Sequence, residues 1–220
     1  MPRTLSGSRT AGVHTNNIIY NGTFEVAPSV LTAQTNTVGR WIDGTAAGSQ
    51  AKSGFGWGTV TITSSSAVGF DNTVSNSGTN SLKLSTLNTT GAITAGSFRT
   101  NGPNAGSAFE LFTLLPGTSY TLTGFIKTNN VATNGAFIDC REFSASFANL
   151  ATTSTNKLSG TNNFTKVTAT FTTNASTAFG GLFLRNNVTG NTSDAWFDDI
   201  VLFQTLFPAR SAASGRTLVT

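Results

Sequence analysis

Histidine and cysteine each occur once in 220 residues, and only 10% of the side chains are charged. With Cys140 alone, no intrachain disulfide can form. Cys140 sits in an apolar-rich run and reads as a small core residue. His14 lies in a polar leading segment, which excludes a His-based catalytic triad or a multi-His metal centre. Acids number nine. Glycoside hydrolysis needs two carboxylates about 5–10 Å apart across the bond. Asp139 and Glu142, three apart on a strand, point to opposite faces, and so do the adjacent Asp198 and Asp199. The chain is therefore not expected to be an enzyme. Gly54-Phe-Gly-Trp-Gly58 precedes no helical pattern and reads as a loop, not a phosphate cradle. No apolar run reaches the length of a membrane span, and residues Met1–Asn17 hold no apolar signal core, so no signal peptide is read in this chain. The net charge of +4 reflects scarce acids more than clustered bases, so sequence-specific nucleic-acid binding is not expected.

What remains is rich in Ser, Thr, Asn, Gly and Phe, with 23 glycines and 17 phenylalanines. Small polar residues suit turns and the solvent face of strands and are poor helix-interior formers. From Trp57 the residues alternate, with Val60 and Ile62 on one side and Thr59, Thr61 and Thr63 on the other, the mark of a half-buried strand. Similar runs follow at 81–87, 108–114, 119–127, 136–147, 164–172, 178–185 and 195–203. Turn clusters separate them at 76–80, 116–117, 129–134, 160–163 and 186–193. Short strands at this spacing imply an all-β antiparallel sandwich. The expected organisation is a flexible arm over 1–17, one domain over 18–204 and a polar tail over 205–220.

Five motifs recur in a particular order. They are Asn21-Gly-Thr-Phe-Glu25, Gly78-Thr-Asn-Ser-Leu-Lys-Leu84, Pro116–Lys127, Phe164–Phe171 and Ala195-Trp-Phe-Asp-Asp-Ile-Val-Leu202. The series resembles carbohydrate-binding modules of families four, nine and twenty-two, over roughly residues 18–204. The resemblance implies a jelly-roll sandwich whose first and last strands lie side by side. It also implies a structural calcium ion held by Glu25 and Asp198. Strand alternation groups Trp196, Asp198, Ile200 and Leu202, which places Asp198 with the core-facing set. A carboxylate there needs hydrogen-bond donors or a cation. The alternative to calcium is that both acids accept backbone N–H bonds.

Sugar recognition needs flat aromatic faces flanked by polar hydrogen-bonding groups. The candidates by alternation are Phe125 with Lys127, Phe183 with Arg185, and Phe137, Asp139 and Arg141 on one face of their strand. Trp57 and Trp41, beside the long polar loop, join them. The expected function is a non-catalytic adhesive domain that binds glycans and is displayed on a virion surface, as a phage tail or capsid-decoration component. A purely structural assembly or cement protein is the competing reading. Expected partners are a glycan, neighbouring virion proteins or further copies of the chain, and the expected location is a virion surface or the extracellular space.

Overall fold

The structure is a computed structural model that describes residues 17–19, 22–25, 57–61, 66–86, 90–97, 112–189 and 192–205. Among them run the strands β1 (Trp57–Thr61), β2 (Ser66–Asp71), β3 (Ser81–Thr86), β4 (Thr90–Ser97) and β5 (Phe112–Thr113). They are followed by β6 (Ser119–Ser144), β7 (Asn149–Ser154), β8 (Leu158–Thr172), β9 (Thr177–Thr189) and β10 (Ser193–Gln204). Their pairings are all antiparallel. The expected all-β antiparallel sandwich of jelly-roll type is what the chain forms.

The long strand β6 ties two layers together. Its first half pairs with β10 and β8, and its second half with β9 and β7. The first layer is ordered β2-β3-β10-β6-β8 and the second β1-β4-β9-β6-β7, with β5 laid along the start of β9. The sequence suggests two strands separated by a turn at 129–134. Instead β6 runs on through it, with its register on β8 shifting between Ile126 and Ala136. Asn130 and Gly135 take positive φ of 56° and 77° there, conformations that Asn and Gly tolerate best. Likewise β8 runs through the expected turn at 160–163, with Gly160 at φ 74° opposite Val131.

Alternation fills the space between the layers. Tyr120, Leu122 and Ile126 of the first half of β6, and Ile138 and Cys140 of the second, meet Leu182, Leu184, Phe197 and Leu202 in one core. Each fully buried Leu or Ile contributes about 1.5–3 kcal/mol. Gly124 leaves room for the side chain of Ile138, since a Cβ there would lie 2.6 Å from Ile138 Cδ1. Cys140 is fully buried, and burial first, then the charges of Glu142 and Asp139, push its thiol pKa up, so it stays an inert thiol.

The opening segment lies along β10, as the resemblance implies, but by isolated bonds. Ile18 N–H donates to Leu202 O at 2.9 Å, and Ile200 N–H to Gly22 O at 2.8 Å. Asn17, assigned by sequence to the flexible arm, docks here as well. Its Oδ1 accepts from Leu202 N–H at 3.0 Å and its Nδ2 donates to Ile200 O at 3.1 Å.

Candidate functional site

The residues singled out by sequence fall into three places. The first is a clamp around the turn at 76–80. Asp198 Oδ2 accepts backbone N–H bonds from Asn76 at 2.7 Å and Ser77 at 3.1 Å, and its Oδ1 accepts Asp199 N–H at 2.8 Å. Glu25 Oε1 accepts Thr79 N–H at 2.9 Å and Asn80 N–H at 3.0 Å, while Oε2 accepts the Thr79 hydroxyl at 2.6 Å. Between these grips Gly78 has φ 60°, and a Cβ on it would lie 2.3 Å from Glu25 Oε1. Asp199 completes the clamp, taking the Ser77 hydroxyl at 2.6 Å and Asn76 Nδ2 at 2.7 Å.

Asp198 does not point with the core-facing set. Asp199 has φ 49° in an irregular stretch where the register of β10 on β6 shifts. Ahead of that bulge Ala195 and Phe197 face the core, and beyond it Ile200 and Leu202 do. Trp196 and Asp198 therefore lie on the outer side, opposite Lys127 and Phe125. Asp198 is nonetheless fully buried, because the turn folds over it. Burial, only partly offset by the N–H bonds from Ser77 and Asn76, raises its pKa to about 6. Glu25 is shifted the other way. The Thr79 hydroxyl, followed by the Asn80 N–H, lowers its pKa.

Calcium takes oxygen ligands. The groups that Glu25 and Asp198 meet are N–H and O–H donors, and no cluster of three or more His, Cys, Asp or Glu suited to a metal occurs among the described residues. As arranged, these residues fit anions gripped by amides and do not fit a calcium site. The melting temperature of the protein is accordingly expected to stay unchanged when a chelator is added to a scanning-fluorimetry sample. A clear fall would mean that a cation shares the clamp.

The second place is the outer face of the first layer, which holds Phe125 and Lys127. Lys127 sits opposite Trp196 with its ammonium 5.7 Å from the ring centre, and Lys83 approaches the same ring at 4.8 Å. The Trp196 indole donates to Asp71 Oδ2 at 2.8 Å, and Lys83 pairs with Asp194 at 3.2 Å. Trp196 is thus buried beneath its neighbours although it lies on an outer face. Alternation grouped it with the core, and only the bulge explains its position.

The third place is the outer face of the second layer. Phe137, Asp139 and Arg141 of β6 stand opposite Arg185, Phe183 and Gly181 of β9. Five of the expected binding residues therefore share one face, and Phe125 and Lys127 are on the other side of the sandwich. Asp139 is buried and accepts both the Ser154 hydroxyl, at 2.6 Å, and Arg185 Nε–H. Arg141 lies over the Phe183 ring, 4.3 Å from its centre, and Lys157 lies 4.8 Å from the centre of Phe137. Both rings are buried, so these are aromatic faces already covered by cations rather than bare platforms. Lys157 and Asn187 went unnoticed in the sequence. Lys157 gave no signal there, whereas Asn187 is two residues beyond Arg185 and shares its face. Glu142 falls on the core side of β6, where its carboxylate accepts Asn174 N–H at 2.8 Å and the Thr177 hydroxyl at 2.7 Å. It is separated from Asp139 as alternation requires. The backbone of Trp57 opens β1 opposite Ser97. Its side chain, and the whole of Trp41, lie outside the described residues.

No protein-family model matches the chain, and no curated protein matches it in sequence. Solved structures do match it in fold. The enzymatically active domain of bacteriophage CBA120 tailspike protein 4 is similar with a TM-score of 0.51 at 15% identity, over 73% of this chain and 21% of that one. The chain spans about a fifth of that protein's length. A family 16 carbohydrate-binding module gives 0.45 at 17% identity, over 61% of this chain and 84% of that one. A CBM4 structure gives 0.43 at 15% identity, over 68% and 95%. No helix among the described residues is long and apolar enough to cross a membrane. At these identities the likeness to solved structures is one of fold.

Proposed function

We propose that the chain is a non-catalytic carbohydrate-binding domain that recognises its glycan on the outer face of the second layer. The observation that carries this reading is the meeting of Phe137, Asp139, Arg141, Phe183 and Arg185 across one strand pair. A carboxylate and guanidinium groups seated on buried aromatic rings offer the hydroxyls of a pyranose fixed hydrogen-bond partners on a rigid apolar base. The similarity in fold to carbohydrate-binding modules supports the same reading. The likeness to a phage tailspike domain favours a finer statement, that the domain is displayed on a virion surface and serves adhesion.

A glycan array is the direct test. The chain is expected to bind a restricted set of glycans with a dissociation constant on the order of micromolar. Arg185→Ala, which leaves Asp139 without its guanidinium partner, is expected to weaken that binding at least tenfold. Failure to bind any glycan, in a chain whose mass in solution is that of a stable oligomer, would replace this reading with that of a cement protein.

A further inference from the structure

We infer that the glycan taken by the outer face of the second layer is acidic, a saccharide bearing carboxylate groups. This rests on the proposal that the face binds sugar at all. It is carried by two unmet polar atoms and by the balance of charge. Arg141 Nε and Asn187 Oδ1 are both withdrawn from water, and neither has a hydrogen-bond partner. They lie on the same face, since Arg141 is opposite Gly181 and Asn187 follows Arg185 by two residues on β9. An unmet buried donor or acceptor is costly, so such atoms are retained where something else satisfies them.

The charge points the same way. Arg141, Arg185 and Lys157 reach this face, and among the described residues the carboxylate beside them is Asp139, which Arg185 and Ser154 already occupy. Neither Arg141 nor Lys157 has an ion-pair partner among the described residues. Burial first, and then the charge of Arg185, lower the Arg141 pKa, with Asp139 opposing them in part, so the two guanidinium groups repel across this face. A neutral sugar would leave that repulsion in place. A carboxylate relieves it and matches the planar fork of the Arg141 guanidinium lying over the Phe183 ring, while a sugar hydroxyl donates to Asn187 Oδ1.

Matched pairs of ligands separate this inference from the reading beneath it. Oligogalacturonate and its methyl ester, and xylo-oligosaccharides with and without glucuronic acid branches, are titrated calorimetrically into the whole chain. An acidic member is expected to bind at least tenfold tighter than its neutral counterpart, with an affinity that falls as salt is raised from about 50 to about 500 mM. Arg141→Gln is expected to weaken the acidic members at least tenfold more than the neutral ones, so that most of the acidic preference is lost. Should the variant not fold, the salt dependence of the unaltered protein decides the matter. Equal binding of acidic and neutral members, independent of salt, would overturn the charge inference and leave glycan binding standing. No binding by any member would overturn both.

Discussion

Asp198→Ala is expected to destabilise the fold by about 2–4 kcal/mol, seen as a lower urea midpoint with an unchanged slope. The carboxylate accepts three N–H groups, from Asn76, Ser77 and Asp199, and the alanine variant leaves them without an acceptor under the turn. Asp198→Asn should cost less, because one amide oxygen can still take the paired bonds from Asn76 and Ser77. The two variants should also differ from the parent in pH dependence. With a folded pKa of about 6, above the ordinary 3.8, Asp198 favours the folded state most when protonated. Its contribution is complete below pH 3.8 and is lost as the pH rises through about 6. Glu25 works in the opposite sense. Its pKa is lowered from 4.5, so its contribution is present above that value and lost as acid drives the pH through the lowered one. Together they place the clamp's greatest stability in mildly acidic solution. Urea titrations at pH 4.5 and pH 7 should show the parent losing stability between them, and Asp198→Asn should abolish that component. A parent whose stability rises steadily toward pH 7 would show that the carboxylate is not buried as described.

Much of this architecture is written in strand alternation, and its failures have identifiable causes. In β6 the pattern places Tyr120, Leu122 and Ile126 inward and Phe125 and Lys127 outward, and the structure agrees because the extra residue of the bulge lies on β10 and leaves the alternation of β6 intact. In β10 the same rule misplaces Trp196 and Asp198. A residue with positive φ at Asp199 resets the phase, and Asp has no side chain that announces a bulge. The strands β4 and β7 escape detection because, apart from Ile93 and Leu150, they are built from Ser, Thr, Gly, Ala and Asn, and the short β2 offers only Val68 and Phe70. In β7 no side chain is fully buried, so no apolar period exists to be read. Alternation also assigns a residue to a face without saying which layer the face belongs to. For that reason it offers Phe125 with Lys127 and Phe137 with Arg141 alike as candidates, although the pairing of β6 with β10 in one half and β9 in the other puts them on opposite sides. Cross-strand partners such as Asp139 and Phe183 follow from register, which the sequence does not declare.

Gly22→Ala is expected to detach the opening segment from the sandwich. A Cβ on Gly22 would lie 2.0 Å from the carbonyl oxygen of Ile200 and 3.0 Å from its carbonyl carbon. Both are backbone atoms of a central strand, so no rotamer change can make room. The segment itself must move, and with it go the bonds of Ile18 and Asn17 to β10 and the Glu25 grip on Thr79 and Asn80. Phe24, fully buried against Phe70 with ring centres 6.2 Å apart, would be withdrawn too. Phe24 holds φ 56°, a strained conformation for a bulky residue, costing about 1–3 kcal/mol. Such strain persists only while the surrounding contacts enforce it, so release of the segment should be all-or-none and not a small readjustment. Losing a buried Phe and several hydrogen bonds implies a cost of about 4–6 kcal/mol, or outright unfolding if the parent is marginal. Limited proteolysis gives the clearest reading. The variant should be cut between residues 17 and 25 at protease concentrations that leave the parent intact. The core protected by β3, β6, β9 and β10 should outlast that cut if the domain survives at all. A variant as resistant and as stable as the parent would show that residues 17–25 do not pack along β10, and the closing of the jelly roll by its two ends would have to be abandoned.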